Sequence, residues 1–465
     1  MEKILYIIKK IIPTKLFRVL QPVYHFLLSF VAAAIYGFPS EDLIVIGVTG
    51  TTGKTTSVFL IAKMLKSAGY KVGLTSTAMF NDGRREWLND KKITMPGRFF
   101  TQKILREMVK NGCQYAVIET TSEGIRQFRH RFINYDTLIF TGLYPEHIES
   151  HGSFENYKKE KGKLFAHLRG CGVKYADNKK KVIKRPSGLK KIELNRIKKT
   201  IIINGDDEHA EYFVDFWSEQ KIIYTGKDGI ELNTNEEALF VKYGNIKTSA
   251  KGAEFKTSGI NIKLKLLGEF SATNAMNAVC VGFGENLPKE KIKSGLEKIN
   301  GIPGRMETID EGQNFTVIVD YAFEPNAILK LYGAIESLEH NKIIHLLGST
   351  GGGRDIARRP LLGKIAAEKA DFVIVTNEDP YDDDPQIVID QVVFGAEKAG
   401  KKKNENLWAI LDRREAIKKA ISLANENDIV LITGKGCEQA ICVADGEKIK
   451  WDDRKVASEV LRDKK

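Results

Sequence analysis

The sequence predicts an α/β chain whose first domain is built on a doubly wound, mostly parallel sheet and whose second domain repeats the α/β pattern. Three observations predict it. Short β-branched runs that end in glycine or a polar residue alternate with helical segments. One of them, "DLIVIGVTG" at 42–50, runs directly into "KTTSVFLIAKMLKSAGY", whose apolar residues recur at helical spacing. Beyond a turn-rich joint at Gly301–Arg305 the alternation starts again. A chain of 465 residues is also too long for one ordinary hydrophobic core.

In chain order, residues 1–42 read as an apolar, basic helical segment. Lys9, Lys10, Lys15 and Arg18 precede its most apolar part, which Pro22 and His25 interrupt. No convincing cleavage site follows, so a signal peptide is not expected. Three placements fit: a helix lying on a membrane with its cations at the headgroups, a helix packed on the protein or a partner, or a span. A central domain is expected over 43–302. Its first strand, 42–50, is a buried parallel one, and the helix after it stops at Gly69, a natural C-cap. "CQYAVIETTS" and "YDTLIFTGL" are further strands, and functional groups should gather at such carboxyl ends. From about 205 to 265 the runs "KIIYTG", "ALFVKYG" and "INIKLKLLG" read as an antiparallel extension, and "SATNAMNAVCVGFG" returns to helix. The second domain, 303–465, carries "FTVIVDYAF", "IIHLLGSTGGGRD", "RRPLLGKIAAEKA", "DFVIVTNEDP" and "DIVLITGKG".

Composition removes some functions. Hydrophobic content of 42% with 28% charged residues describes a folded chain. The net charge of +12 is spread over runs such as Lys179–Lys181 and Lys401–Lys403 without interleaved aromatics, so no nucleic-acid partner is expected. It fits a lysine-rich surface tolerant of anionic substrates or a membrane face. Cys113, Cys171, Cys280, Cys437 and Cys442 form no CxxC pair, which removes a zinc knuckle and a disulfide frame. A reducing, cytoplasmic setting is expected, at the inner membrane face if residues 1–40 lie there.

"VTGTTGKTTS" at 48–57 reads as a phosphate-binding turn. Gly50 and Gly53 allow the tight bend through Thr51 and Thr52, Lys54 supplies a cation, Thr55 offers its hydroxyl to Mg²⁺, and Thr56 continues the helix. The usual pattern has glycine where this chain has Val48. A plain strand–helix turn would explain Gly50 but not Lys-Thr-Thr at a helix start, so ATP use is expected. Glu119 ends a neighbouring strand, where an ionised carboxylate is costly without a cation. In "TGLYPEHIESHGSFENYKKEKGKLF", His147 and Lys161 make a second metal site only if Lys161 is carbamylated by CO₂ into an anionic ligand; the plainer reading is a solvated lysine.

These stretches resemble the Mur ligase family, within it the branch that adds an amino acid to a UDP-linked muramoyl dipeptide. The family's "TGTNGKT" stands here as "TGTTGKT" (49–55), its "DHLDYHGTMENY" as "EHIESHGSFENY" (146–157), and its "GVPGRME" as "GIPGRME" (301–307). "VDYAFEPNAI" (319–328), "GGGRDIARRPLLGKIAAEKAD" (351–371), "TNEDPYDDDP" (376–385) and "GKGCE" (434–438) follow its remaining motifs. The resemblance implies a phosphate-loop central domain and a Rossmann-like C-terminal domain that closes over it. It implies an ATP-dependent amide ligase working through an acyl phosphate on a cell-wall precursor peptide and a free amino acid. Lys54, Thr55 and Glu119 would hold the phosphates and a first Mg²⁺, His147 and carbamylated Lys161 a second. Asn274 would face adenine, Arg305 the phosphates and Asp320 the ribose. Thr94, Thr121 and Ser122 would face the acceptor, while Asp379, Tyr381, Gly434 and Glu438 would face the amino acid, Glu438 at its amine.

Departures qualify this. The stretch before the turn is too short for the family's UDP-binding domain, so a lipid-linked acceptor near a membrane is one alternative. Tyr381 replaces an arginine that pairs with the second carboxylate of diaminopimelate, which disfavours that substrate. Asp379 with Asp382–Asp384 would suit a cationic amino acid such as lysine, unless that loop is merely solvated. Phe323, Cys437 and Glu123 stand where the family has histidines. Two alternatives remain: a folylpolyglutamate-like or other polyamide-forming ligase, and a catalytically inactive scaffold.

Overall fold

Two sheets organise the chain. The computed structural model describes residues 14–464 except 147–150, 185, 229–231, 233, 235–237 and 354–355. The first sheet has eleven strands, in the spatial order Ile260–Leu264, Gly252–Thr257, Ala238–Ser249, Gln220–Thr225, Thr200–Asn204, Thr137–Phe140, Ile44–Thr49, Tyr115–Glu119, Val72–Thr75, Met79–Asn81 and Glu86–Leu88. We label β1 (Ile44–Thr49), β2 (Val72–Thr75), β3 (Tyr115–Glu119) and β4 (Thr137–Phe140). β1 lies between β3 and β4, parallel to both, and Val48 stands level with Glu119. Every residue of β1 is buried, as helices on both faces require of a central parallel strand.

The expected antiparallel extension needs correction. Gln220–Thr225 runs parallel to Thr200–Asn204, and Ala238–Ser249 runs parallel to Gln220–Thr225. The direction first reverses at Gly252. The connection 226–237 is longer than the about two to five residues of a hairpin loop, so it can carry the chain back to a parallel start. At the far edge the sheet ends in an antiparallel hairpin, 79–88.

Among the helices that position the site are α1 (Thr14–Ile35), α2 (Lys54–Ser67), α3 (Arg98–Lys110), α4 (Ser122–Arg126), α5 (Phe154–Leu168) and α6 (Phe270–Gly284). α2 follows β1 directly and is buried from Thr55 to Leu65 apart from Lys63. As its sequence predicts, it closes at Gly69, with φ +103° and its N–H on Lys66 O, while Tyr70 N bonds Leu65 O. α1 runs through Pro22 and packs by Ala32 and Ala33. The Phe26 and Phe30 rings lie 5.1 and 5.4 Å from that of Phe132, and Ser29 Oγ donates to Phe128 O at 2.9 Å. Arg106 of α3 binds the carbonyls of Tyr36 and Gly37 just beyond the helix end. Among the described residues no helix is long and apolar enough to cross a membrane.

The second sheet runs Glu307–Ile309, Thr316–Val319, Ile429–Ile432, Ile343–Leu347, Phe372–Thr376, Leu407–Ile410; all but the first are parallel. Separate cores cover its two faces, one around Leu331, Leu362 and Val392, the other around Ile417, Val456 and Leu461. The joint between the sheets is tight. Gly304 has φ +61°, and a Cβ there would stand 2.2 Å from Cys437 N.

Candidate functional site

A cleft of about 1590 Å³ opens at the carboxyl ends of β1, β3 and β4 and is lined from both sheets. Its floor is the glycine turn. At Gly50 a Cβ would stand 2.0 Å from Thr141 Oγ1 and 2.9 Å from the Gly142 carbonyl oxygen, and Gly53, with φ +78°, takes a backbone conformation that favours glycine. Thr51 N bonds Gly142 O, and Thr141 Oγ1 donates to Thr52 O. Gly53 gives α2 no side-chain cap, so the helix turns uncapped N–H groups and its positive end to the cleft. Lys54 Nζ folds back on Thr51 O at 2.6 Å. Thr56 is buried in the first turn.

The structure brings Thr55 and Glu119 together. The Thr55 hydroxyl donates to Glu119 Oε2 at 2.9 Å, and Arg305 Nη2 reaches the same hydroxyl at 3.2 Å. Glu119 also accepts from Thr77 N and Thr77 Oγ1, and Thr77 Oγ1 lies 2.8 Å from Thr94 Oγ1. A hydroxyl beside a carboxylate at a helix start is a hard oxygen donor pair of the kind Mg²⁺ accepts together with phosphate and water. The residues fit that ion. Among the described residues no three His, Cys, Asp or Glu converge on a metal position, so such an ion would depend on nucleotide oxygens for the rest of its shell.

Lys161 lies on α5 with 1% of its surface exposed. Its Nζ donates to Gly50 O at 2.8 Å and stands 4.5 Å from the Tyr157 ring centroid. Burial first, then the nearby Lys54 charge, hold its amine well below the ordinary lysine value, against Glu146 and Glu119. It is not the solvated lysine of the plainer reading. His147 lies outside the described residues. His151 does line the cleft, its Nε2 3.2 Å from Ser122 Oγ, and Thr121 Oγ1 caps α4 at Gly124 N. Thr94, Thr121 and Ser122 therefore share one wall with Arg126 and Arg129.

Across the cleft, Arg305 lies 4.5 Å over the Tyr321 ring. Asp320 is buried, and its two oxygens accept Met306 N and Ala322 N, so it also braces the joint. Burial raises its pKa, opposed by Arg305. Asn274 borders the cleft against Gly53. Tyr381, at φ +52°, lines the far wall with Gly434 and Glu438.

The expected role of Asp379 as a partner for a cationic amino acid is not left open. Its carboxylate accepts Lys92 Nζ at 2.5 Å, Lys435 Nζ at 2.8 Å and Cys442 N at 2.7 Å. Glu438 holds the same two ammonium groups at 2.6 and 2.8 Å. The acidic run is committed locally as well. Asp382 accepts Asp445 N, Asp383 pairs with Arg359, and Asp384 caps the helix Pro385–Lys398.

Three cleft residues escape the sequence reading. Thr77 ties Thr94 to Glu119. Lys92 looks like one more surface lysine in "NDKKIT". Glu378 is 3% exposed, and its Oε2 has no hydrogen-bond partner among the described residues. Burial, then the adjacent Asp379 charge, push its carboxyl up to about 7. The signal for it is its place in "NEDP", directly before Asp379.

Two bodies joined by a tight turn, with a phosphate-type turn facing a wall of buried charges, define the class of a two-lobed nucleotide-dependent enzyme. The Mur ligase middle domain matches residues 48–195, and the Mur ligase glutamate ligase domain matches residues 304–436. A UDP-N-acetylmuramyl-tripeptide synthetase of Roseiflexus sp. is 34% identical over 438 residues, covering 92% of this chain and 81% of that one. A UDP-N-acetylmuramoyl-L-alanyl-D-glutamate–2,6-diaminopimelate ligase of Clostridium tetani is 32% identical over 442 residues, covering 94% and 81%. Among solved structures, a ligase of the latter description aligns with TM-score 0.57 at 24% identity over 91% of this chain and 79% of that one. A Mycobacterium tuberculosis folylpolyglutamate synthase complexed with ADP aligns with TM-score 0.64 at 15% identity over 88% and 91%. These two likenesses show the fold. The chain belongs to the Mur ligase family. It is an ATP-dependent acid–amino-acid ligase that forms an amide bond.

Proposed function

We propose that this enzyme adds one amino acid to a muramoyl-peptide-like cell-wall precursor, with 43–302 as its ATP-binding domain and 303–465 as its amino-acid-binding domain. The observation that carries the reading is the Thr55–Glu119–Arg305 convergence on the uncapped start of α2. The turn 49–55 acts as a P-loop: its N–H groups and Lys54 hold the ATP phosphates, Asn274 borders the base and Asp320 the ribose. Mg²⁺ at Thr55 and Glu119 would neutralise charge on the phosphate oxygens.

The acceptor carboxylate, steered by Thr94, Ser122 and the arginines beside them, attacks the γ-phosphorus. The bond from that phosphorus to the bridging oxygen breaks, giving an acyl phosphate and ADP. The neutral amine of the amino acid then attacks the acyl carbon, loses a proton, and phosphate leaves. Lys54 and Arg305 stabilise the charge that gathers on the transferred oxygens, and the closed cleft keeps water from the acyl phosphate.

Lys161 is read as a carbamate. A buried neutral amine would add CO₂ and release a proton, and the resulting carbamate anion, with His147, would be able to hold a second Mg²⁺ and so place a further positive charge against the transferred phosphate. Its support is the burial of Lys161 and its place against Gly50. For the N-terminal segment we favour peripheral contact with a membrane at the cytoplasmic face, supported by the apolar outer side of α1.

Purified protein with ATP, Mg²⁺, muramoyl dipeptides and a panel of amino acids should yield a product one residue heavier by mass spectrometry. No product from the muramoyl dipeptides, with polyglutamates formed when a folate and L-glutamate are supplied in their place, would overturn the acceptor assignment.

A further inference from the structure

Opposite the phosphate turn, four ionised side chains close into a quartet. Asp379 and Glu438 each hold both Lys92 and Lys435, at 2.5 and 2.8 Å for Asp379 and 2.6 and 2.8 Å for Glu438. The Lys435 side chain is 0% exposed and that of Lys92 4%, so these contacts are shielded from water. Three members come from the second lobe. Lys92 comes from the first, on the loop between Glu86–Leu88 and α3. Its backbone takes φ +56°, uncommon for a residue with a side chain, and its Nζ also donates to Ala440 O at 3.0 Å. Against the burial that disfavours its charge, Glu438 and Asp379 hold Lys92 well above its ordinary value.

The charge balance is the consequence that matters. Two carboxylates and two ammonium groups leave the quartet itself neutral. Without Lys92 the other three would keep one net negative charge, facing the cleft through Asp379 and Glu438. That is where a positively charged side chain would settle. With Lys92 in place, an incoming ammonium meets a like charge and two carboxylates already shared, and its lost hydration is not replaced. The wall does keep Glu378 Oε2, buried and without a partner among the described residues, and Gly434 gives it room: a Cβ there would stand 2.4 Å from that oxygen.

We propose that Lys92 is a specificity-determining residue of the amino-acid site: its ammonium fills the place a cationic side chain would take, so the enzyme selects an amino acid whose one positive charge is its α-ammonium, received at Glu378. The proposal rests on the reading that the second-lobe wall receives the amino acid.

The test is a competition. The full chain is given ATP, Mg²⁺, the acceptor that supports ligation, and equimolar L-lysine, L-ornithine, meso-diaminopimelate and a set of neutral and acidic amino acids. Products are read by mass, and kcat/KM is measured for lysine and for the best neutral or acidic substrate. Wild type should use lysine at least about tenfold less well, and Lys92→Met and Lys92→Ala should shift that ratio toward lysine by about tenfold. A ratio taken within each protein cancels any general loss of activity in the variants. If a variant does not fold, the wild-type ranking still decides. A wild type that prefers lysine, ornithine or diaminopimelate would overturn the role of Lys92 while leaving the ligase intact, as would an unchanged ratio in Lys92→Met. No incorporation of any amino acid would overturn the ligase reading and this one with it.

Discussion

Glu378 is a cleft residue whose charge state the fold sets. Its carboxyl is pushed up to about 7 from an ordinary 4.5, by burial and then by Asp379. The folded chain therefore holds this proton through a range where the unfolded chain has lost it. Its contribution to stability is fully present below about pH 4.5 and is lost as the pH rises through about 7. Glu378→Gln removes the titration, so the variant should gain on wild type between pH 5 and 8, by up to about 3 kcal/mol. Denaturant unfolding at both pH values checks this, and parallel curves for the two proteins would refute it. Two activity changes belong at the same scale. Lys54→Ala should abolish ADP formation, a loss of several kcal/mol in transition-state stabilisation, with the circular dichroism spectrum kept. Lys161→Ala should lose most activity, and short carboxylates added to the assay should restore part of it if a carbamate is the natural ligand. At this scale residue order was legible where it sits in one contiguous stretch: Gly50 to Gly53 form the turn from β1 into α2, which starts at Lys54, and Glu119 ends β3. Lys92 and Asp379 are 287 positions apart, and a contact made by two lobes meeting leaves no local pattern in either segment.

At the scale of elements, periodicity identified β1, α2 and most strands of the second sheet, because burial on both faces or on one helical stripe writes itself into residue order. It could not give strand direction. Gln220–Thr225 has the same alternation whether its neighbour runs parallel or antiparallel, and the pairing with Thr200–Asn204 is set by where the chain re-enters the sheet. α1 shows a related limit. Its apolar residues were visible, but not that they divide between two faces. Ala32, Ala33 and Ser29 are buried, whereas Val23, Leu27, Val31 and Ile35, four residues apart, form a stripe exposed by 43 to 65%. Burying such a stripe yields on the order of 25 cal/mol per Å², and each lysine or arginine near an anionic surface adds about 1 kcal/mol. Wild type should therefore co-sediment with anionic liposomes, more weakly as salt rises, and Leu27→Glu with Val31→Glu should not. Equal partitioning of the two proteins would leave α1 as a packing element alone.

At the scale of the whole molecule, the site exists only while the two sheets keep their relation, and the joint 301–305 fixes it. Gly304 packs tightly at the start of the second lobe: its O accepts Tyr321 N, and a Cβ on it would stand 2.2 Å from Cys437 N, one residue before Glu438. Its neighbour Arg305 reaches back to Thr55 in the first lobe. A methyl group here must move backbone rather than the tip of a side chain, and φ +61° adds strain for any residue with a Cβ. Gly304→Ala should thus displace Arg305 and the quartet together while leaving the turn 49–55, β1 and α2 as they are. The expected outcome is a split: ADP binding by calorimetry weakened only several-fold, since the turn 49–55 that would hold its phosphates stays in place and only Arg305 and Asp320 would be lost from the second lobe, but amide formation lower by about a hundredfold, because misplacing catalytic groups by about 1 Å is costly. If binding and ligation fall together, the joint supports the first lobe's own fold. If neither changes, the lobes are positioned by contacts elsewhere, and the closeness of Gly304 to Cys437 has no part in assembling the site.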